Sequence, residues 1–201
     1  MAKVFLHIEM PPVLIGLVVW RKPQEGGISC SQEPPLCHRV LERGAKRHRD
    51  HRWFLTKEKI NKGEVVIIWG GNFVSKETAH KEKDKGKALQ QIDEDVCEVF
   101  DYETRNEDAS YNHNHSCDPN TCMKDEVTII ARRDIASNEE LTIDYAMFML
   151  DENYQMPTEC KCGTKKCRKT ITGKDWRLAE IQNRYKNEFS PAVKKRIELK
   201  K

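Results

Sequence analysis

Three cysteines within eight residues, Cys160-Lys161-Cys162-Gly163-Thr164-Lys165-Lys166-Cys167, constrain this 201-residue chain more than any other feature. The C-x-C-x4-C spacing around the turn residues Gly163-Thr164 lets three thiolates converge on one ion at little loop-closure cost. Structural zinc takes four ligands in a tetrahedron, so a fourth has to arrive from elsewhere in the chain. Cys117 leads as that ligand, with Cys122 and Cys97 behind it, while Cys30 and Cys37-His38 lack a partner at standard spacing and read as free thiols. Such crowding reads as metal rather than as a disulfide framework. Lys161, Lys165, Lys166 and Arg168 stand beside the cluster and are expected to offset the charge of four thiolates.

The chain is long enough for one well-buried core. Charged residues make up 33% of it but nearly cancel to a formal +3, far from the charge of a protein that coats nucleic acid. The most apolar run, residues 4–20, is broken by His7, Glu9 and Pro11-Pro12, is too short for a bilayer span, and fits a signal peptide poorly. These features predict a soluble, intracellular monomer, cytoplasmic or, in a eukaryote, nuclear. Neither a membrane nor direct nucleic-acid binding is implied.

Residues 1–52 read as a poorly defined N-terminal arm whose basic run, 38–52, is a solvated face. Beyond it, the β-branched run 64–69 predicts a buried strand closed by Gly70-Gly71. The polar stretch 75–90 predicts an exposed insert formed by a surface helix capped by Ser75, weakened in its middle by Lys85-Gly86. Short strands are expected at 91–93, 96–100, 127–131 and 141–143. Towards the C-terminus, Asp175 is expected to cap a helix with Leu178, Ile181 and Tyr185 on one face. Ser190-Pro191 then starts a second helix, with Val193 and Ile197 inward.

Two further segments carry polar chemistry: Asn114-His115-Ser116-Cys117-Asp118-Pro119-Asn120 and Glu140-Leu141-Thr142-Ile143-Asp144-Tyr145. A His115–Cys117 pair suggests a thiol nucleophile, yet a cysteine committed to zinc cannot attack, and near neighbours in sequence seldom share a triad's geometry. Taken singly, His115 reads as a satisfied structural histidine and Tyr145 as a core tyrosine with its hydroxyl bonded nearby.

Together, these segments and the following C-x-C-x4-C cluster resemble the SET-domain family of protein-lysine N-methyltransferases, with a post-SET zinc cluster, in order and spacing. The tail, with Trp176, Leu178, Gln182, Tyr185 and Phe189-Ser190-Pro191, is similar to that of small single-domain members of bacterial type. The resemblance implies a mainly β (α+β) fold, a SET-type β-clip of small twisted sheets with a pseudoknot where the two motifs thread together. It divides the chain into a SET domain at 53–150, a post-SET zinc loop at 158–170 and a C-terminal helical tail at 174–201.

The same resemblance implies transfer of a methyl group from S-adenosylmethionine to a lysine amine of a protein or peptide substrate, histone-like or other. Tyr145 would be the catalytic residue, and Asn114, His115, Trp53 and Tyr145 would contact the cofactor. Cys117 would join Cys160, Cys162 and Cys167 on zinc. Ile143, two residues before the tyrosine, adds no hydroxyl and leaves room for more than one methyl. Where the family carries Gly-x-Gly, this chain has His51-Arg52-Trp53; His113 replaces the usual apolar residue before Asn114, and Tyr111 is displaced by one place. The alternative reading is a catalytically inactive, zinc-stabilised SET-like module that binds protein. A zinc-containing nucleic-acid binder ranks lower, because the cysteine spacing does not match a DNA-reading finger.

Overall fold

Turn residues interrupt this chain too often for long strands, and none exceeds five residues among the residues described by the computed structural model: 40–43, 54–70, 72–101 and 113–200. Trp53, Tyr111, Cys30, Cys37-His38 and the basic run apart from its strand at Val40–Arg43 lie outside that set.

Ten strands make four small sheets. β1 (Val40–Arg43) pairs antiparallel with β2 (Phe54–Thr56). β3 (Val65–Ile68), the β-branched run read from the sequence, pairs with β9 (Thr128–Ala131), which in turn pairs with β8 (Thr121–Met123). β4 (Asn72–Ser75) and β5 (Ala88–Gln91) flank β6 (Val96–Phe100), all antiparallel. β7 (Asn114–His115) and β10 (Thr142–Ile143) run parallel, where the sequence motifs were expected to meet. Small, mostly antiparallel sheets with few helices are the fold class expected.

Between β4 and β6 the structure departs from the sequence reading. Ser75 does cap a helix, α1 (Lys76–Asp84), its hydroxyl accepting from the Thr78 N–H. The helix stops at Lys85-Gly86 because Gly86 turns the chain at φ +87°, a conformation open to glycine, and residues 88–91 return as β5. Ile92-Asp93 therefore forms the turn into β6 and not a strand of its own. The insert also has a small interior: Ala79, Cys97 and Val99 are buried, with Val74 and Leu89 against them. A polar composition concealed this, since few apolar residues suffice for so small a core.

The main core joins the sheets to the C-terminal segment. Trp69, Met123, Ile129, Ile143 and Met147 pack with Trp176, Ile181, Tyr185, Phe189 and Val193. The last of these lie on or beside α2 (Ala179–Tyr185) and α3 (Pro191–Leu199). Ser190 caps α3 and Pro191 occupies its first turn, as expected. The sequence reading of α2 needs two corrections. Leu178 is 43% exposed and does not share the inward face of Ile181 and Tyr185. Asp175 caps no α-helix; it begins a 3-10 turn, and its carboxylate is turned inward to Thr172 and Arg168. Among the described residues, no helix is long and apolar enough to cross a membrane.

Candidate active site and metal centre

The β7–β10 pair places Asn114 opposite Thr142 and His115 opposite Ile143. Parallel strands cannot be joined by a tight turn, so other groups have to fix the register. Asn120 does much of this: its carbonyl oxygen accepts from the Thr142 N–H at 2.9 Å, and its amide donates to the Glu140 carbonyl at 2.7 Å and the Glu139 carboxylate at 2.9 Å. The Thr121 hydroxyl donates to the Thr142 carbonyl at 2.8 Å, and the Ser116 N–H to the Ile143 carbonyl at 3.1 Å. The Asn114 amide donates to the Glu140 carboxylate at 2.7 Å. Two motifs about twenty residues apart in sequence thus become one structural unit.

Tyr145 opens a 3-10 turn, Tyr145–Met147, whose cap is Asp144: its carboxylate accepts from the Ala146 N–H at 3.0 Å. The Tyr145 N–H donates to His115 Nδ1 at 3.2 Å, and its hydroxyl donates to the His113 carbonyl at 3.1 Å. The rings of His115, Phe148 and Tyr154 meet the Tyr145 ring edge-on, with centroids 5.1, 5.7 and 6.2 Å away.

Both nitrogens of His115 are occupied. Because a backbone N–H can only donate, Nδ1 is the acceptor, and in the neutral ring Nε2 carries the hydrogen and donates to Cys117 Sγ at 3.3 Å. Burial brings the His115 pKa down to about 4, which keeps the ring neutral. His113, buried outright, falls to about 3 for the same reason. Its Nε2 faces the Thr121 hydroxyl, whose hydrogen already goes to Thr142.

The sulfurs of Cys117, Cys160, Cys162 and Cys167 all lie within 4.8 Å of one another, and those of Cys117 and Cys160 are 3.9 Å apart. A tetrahedron with zinc–sulfur bonds of about 2.3 Å has edges of about 3.8 Å, so this donor set fits zinc in kind and spacing. Gly163, at φ +72°, makes the turn between the second and third cysteines. Cys117 Sγ accepts from the Arg168 N–H at 3.3 Å as well as from His115. Burial pushes the Cys117 thiol up to about 11 and Cys160 higher still. It also acts on Cys162, but there the Thr164 hydroxyl and nearby N–H groups outweigh it and lower the thiol to about 6. A bound cation would supply the charge needed to ionise all four. Cys122 and Cys97, the other candidates for fourth ligand, are buried in the main core and in the insert.

Sequence reasoning missed what the basic residues do here. Lys166 pairs with Asp118 at 3.0 Å, while Arg168 reaches past the sulfurs. Its guanidinium grips both oxygens of Asp144 at 2.7 Å each and donates to Asp175 at 2.9 Å. Burial works against the Asp144 charge, yet Arg168 outweighs it and holds the carboxyl below its usual range. The Tyr185 hydroxyl donates to Asp144 at 2.8 Å, and both Tyr185 and Arg184 reach the Cys117 carbonyl. Asp175 was readable only as a helix cap, and Arg168 only as one more cation. Trp53 lies outside the described residues.

With this geometry in view, residues 52–146 match the family described as SET domain. Over those residues, just under half of its length, the chain is similar to a SET domain. It is 33% identical over 131 residues to Histone-lysine N-methyltransferase 2B of Homo sapiens, an alignment covering 60% of this chain and 5% of that protein. It is 31% identical over 139 residues to Histone-lysine N-methyltransferase trithorax of Drosophila virilis, covering 63% and 3%. Against Histone-lysine N-methyltransferase SUV39H1-A of Danio rerio it is 26% identical over 186 residues, covering 71% and 45%. The chain therefore spans less than half the length of these relatives. The methyltransferase domain of human Histone-lysine N-methyltransferase SETMAR aligns at a TM-score of 0.45 and 20% identity, over 63% of this chain and 55% of that one. Cys160, Cys162, Cys167, Arg168 and Tyr185 lie beyond the matched residues.

Proposed function

We propose that this chain is a protein-lysine N-methyltransferase of the SET-domain family that uses S-adenosylmethionine. The observation that carries the reading is the setting of Tyr145: it follows the parallel motif pair directly and its hydroxyl is bonded to the His113 carbonyl. When bound, S-adenosylmethionine would supply an electrophilic methyl: a neutral lysine amine would form a bond to the methyl carbon as the carbon–sulfur bond breaks, its electron pair staying on sulfur, and the methylammonium would lose its proton to solvent. Tyr145 has its hydroxyl hydrogen committed to His113, so its oxygen presents lone pairs that accept from the incoming amine and orient it. A free lysine has a pKa of about 10.4, and the half-buried aromatic wall of Tyr145, Phe148 and Tyr154 favours its uncharged form by desolvation.

Asn114, His115 and Trp53 would hold the cofactor. His115 has both ring nitrogens engaged, which fits a contact through its backbone. Cys117, Cys160, Cys162 and Cys167 would hold zinc, as a structural clamp of the loop beside Tyr145. Ile143 is buried in the main core, opposite His115. The substrate is a lysine-bearing protein; the names of the relatives make core histones the first to try.

The test is transfer of labelled methyl from S-adenosylmethionine to a panel of proteins beginning with core histones. Tyr145→Phe should lower transfer by about 100-fold or more while zinc content stays the same. Absence of cofactor binding by calorimetry at millimolar concentration would defeat the proposal. The second reading, a zinc-stabilised protein-binding module without turnover, is favoured by one observation: His51-Arg52-Trp53 stands where the family has Gly-x-Gly. That reading expects intact zinc and partner binding with no cofactor bound.

A further inference from the structure

The SET domain match ends at residue 146, yet side chains that hold the cap of the turn carrying Tyr145 come from beyond it. Asp144 caps that turn and is fully buried. Besides the Ala146 N–H, its oxygens accept two bonds from Arg168 and one from the Tyr185 hydroxyl. The far end of the turn is tied as well: the Ser190 N–H donates to the Met147 carbonyl at 2.8 Å. Arg184 Nη1 and the Tyr185 hydroxyl meet the Cys117 carbonyl at 3.0 and 3.3 Å, so one short helix touches both a proposed metal-ligand residue and the cap of the Tyr145 turn.

We infer that Arg168 and Tyr185 are positioning residues for methyl transfer, acting on Tyr145 through Asp144. The inference rests on the methyltransferase reading above. A capping carboxylate that is free to rotate no longer fixes where the first residue of its turn points. Here a planar guanidinium fork and a phenol hold it from two sides, inside the core. The Tyr185 hydroxyl donates to one Asp144 oxygen at 2.8 Å, the oxygen that also accepts from Arg168 Nη1. The Tyr185 ring has separate packing of its own, edge-on to Phe189 at 5.9 Å and beneath the Arg132 guanidinium at 5.2 Å. Packing and hydrogen bond can therefore be separated by one atom.

Tyr185→Phe removes the hydroxyl and keeps the ring; Arg168→Lys keeps the charge and loses the fork. Each should lower kcat about tenfold, with KM for S-adenosylmethionine and for the protein substrate within twofold of the original. The double variant should fall well short of the hundredfold product, because both act through one carboxylate. Ser75→Ala serves as the structural control: it removes the cap of α1 in the insert and should lower the melting temperature without changing kcat.

A second readout needs no turnover. With 3-fluorotyrosine incorporated, the Tyr145 resonance, assigned by its loss in Tyr145→Phe, should shift or broaden in both variants and stay put in Ser75→Ala. An unmoved resonance, or kcat within twofold of the original in the two variants, overturns the inference. If the unaltered protein transfers no methyl, the methyltransferase reading fails, and the fluorine spectra alone decide whether Arg168 and Tyr185 hold Tyr145.

Discussion

Around α1 nearly every bonding partner is close in sequence, whereas around Asp144 nearly every partner is distant. The insert from β4 to β6 is built from consecutive elements, with a helix capped by its own Ser75 and laced by Lys81–Glu77 and Lys85–Glu82 pairs. Its interior is little more than Ala79, Cys97 and Val99. The centre instead joins Cys117, Asp144, Arg168, Asp175 and Tyr185, drawn from five separate stretches of chain. A locally bonded unit loses its parts one at a time, while a buried network loses them together. The two regions should therefore respond differently to damage.

Removal of the proposed zinc should separate them most sharply. Treating the protein with a strong chelator should accelerate amide exchange across residues 113–123 and 142–147 by orders of magnitude, while β4 and β6 keep their protection; equal loss in both regions would erase the distinction. Next comes Trp176→Ala, which empties a wholly buried site in the main core and should cost about 3–5 kcal/mol in denaturant unfolding, with activity lost in proportion. In the insert, Ala79→Leu overpacks a site with no exposed surface and should cost about 1–3 kcal/mol with methyl transfer unchanged per folded molecule. The mildest change is Ser75→Ala, which removes the helix cap for about 1 kcal/mol, read as a small drop in melting temperature.

The same contrast explains what could be read in advance. The cysteine spacing, the β-branched strand at β3 and the Ser190-Pro191 start of α3 are local patterns, and the structure repeats them. The choice of Cys117 as partner to the cysteine loop rested on family resemblance as well as residue type, and the four sulfurs do converge. What escaped was polar and long-range. Arg168 looked like one cation among several, because charge alone does not say which carboxylate it grips. Asp175 looked like a cap, since a buried aspartate and a capping one have the same local sequence. β5 was hidden in a polar helix-like stretch, because its pairing with β6 depends on the turn at Gly86.

The contribution of α2 and α3 to the main core also has a consequence during protein synthesis. Chains emerge from the ribosome N-terminus first, so Trp69, Met123, Ile143 and Met147 are made before Trp176, Tyr185, Phe189 and Val193, which cover them. For that interval the nascent chain displays an uncovered apolar face and a Tyr145 turn with no Tyr185 to hold its Asp144 cap. Versions cut short before α2 should therefore accumulate as aggregates rather than as smaller folded domains.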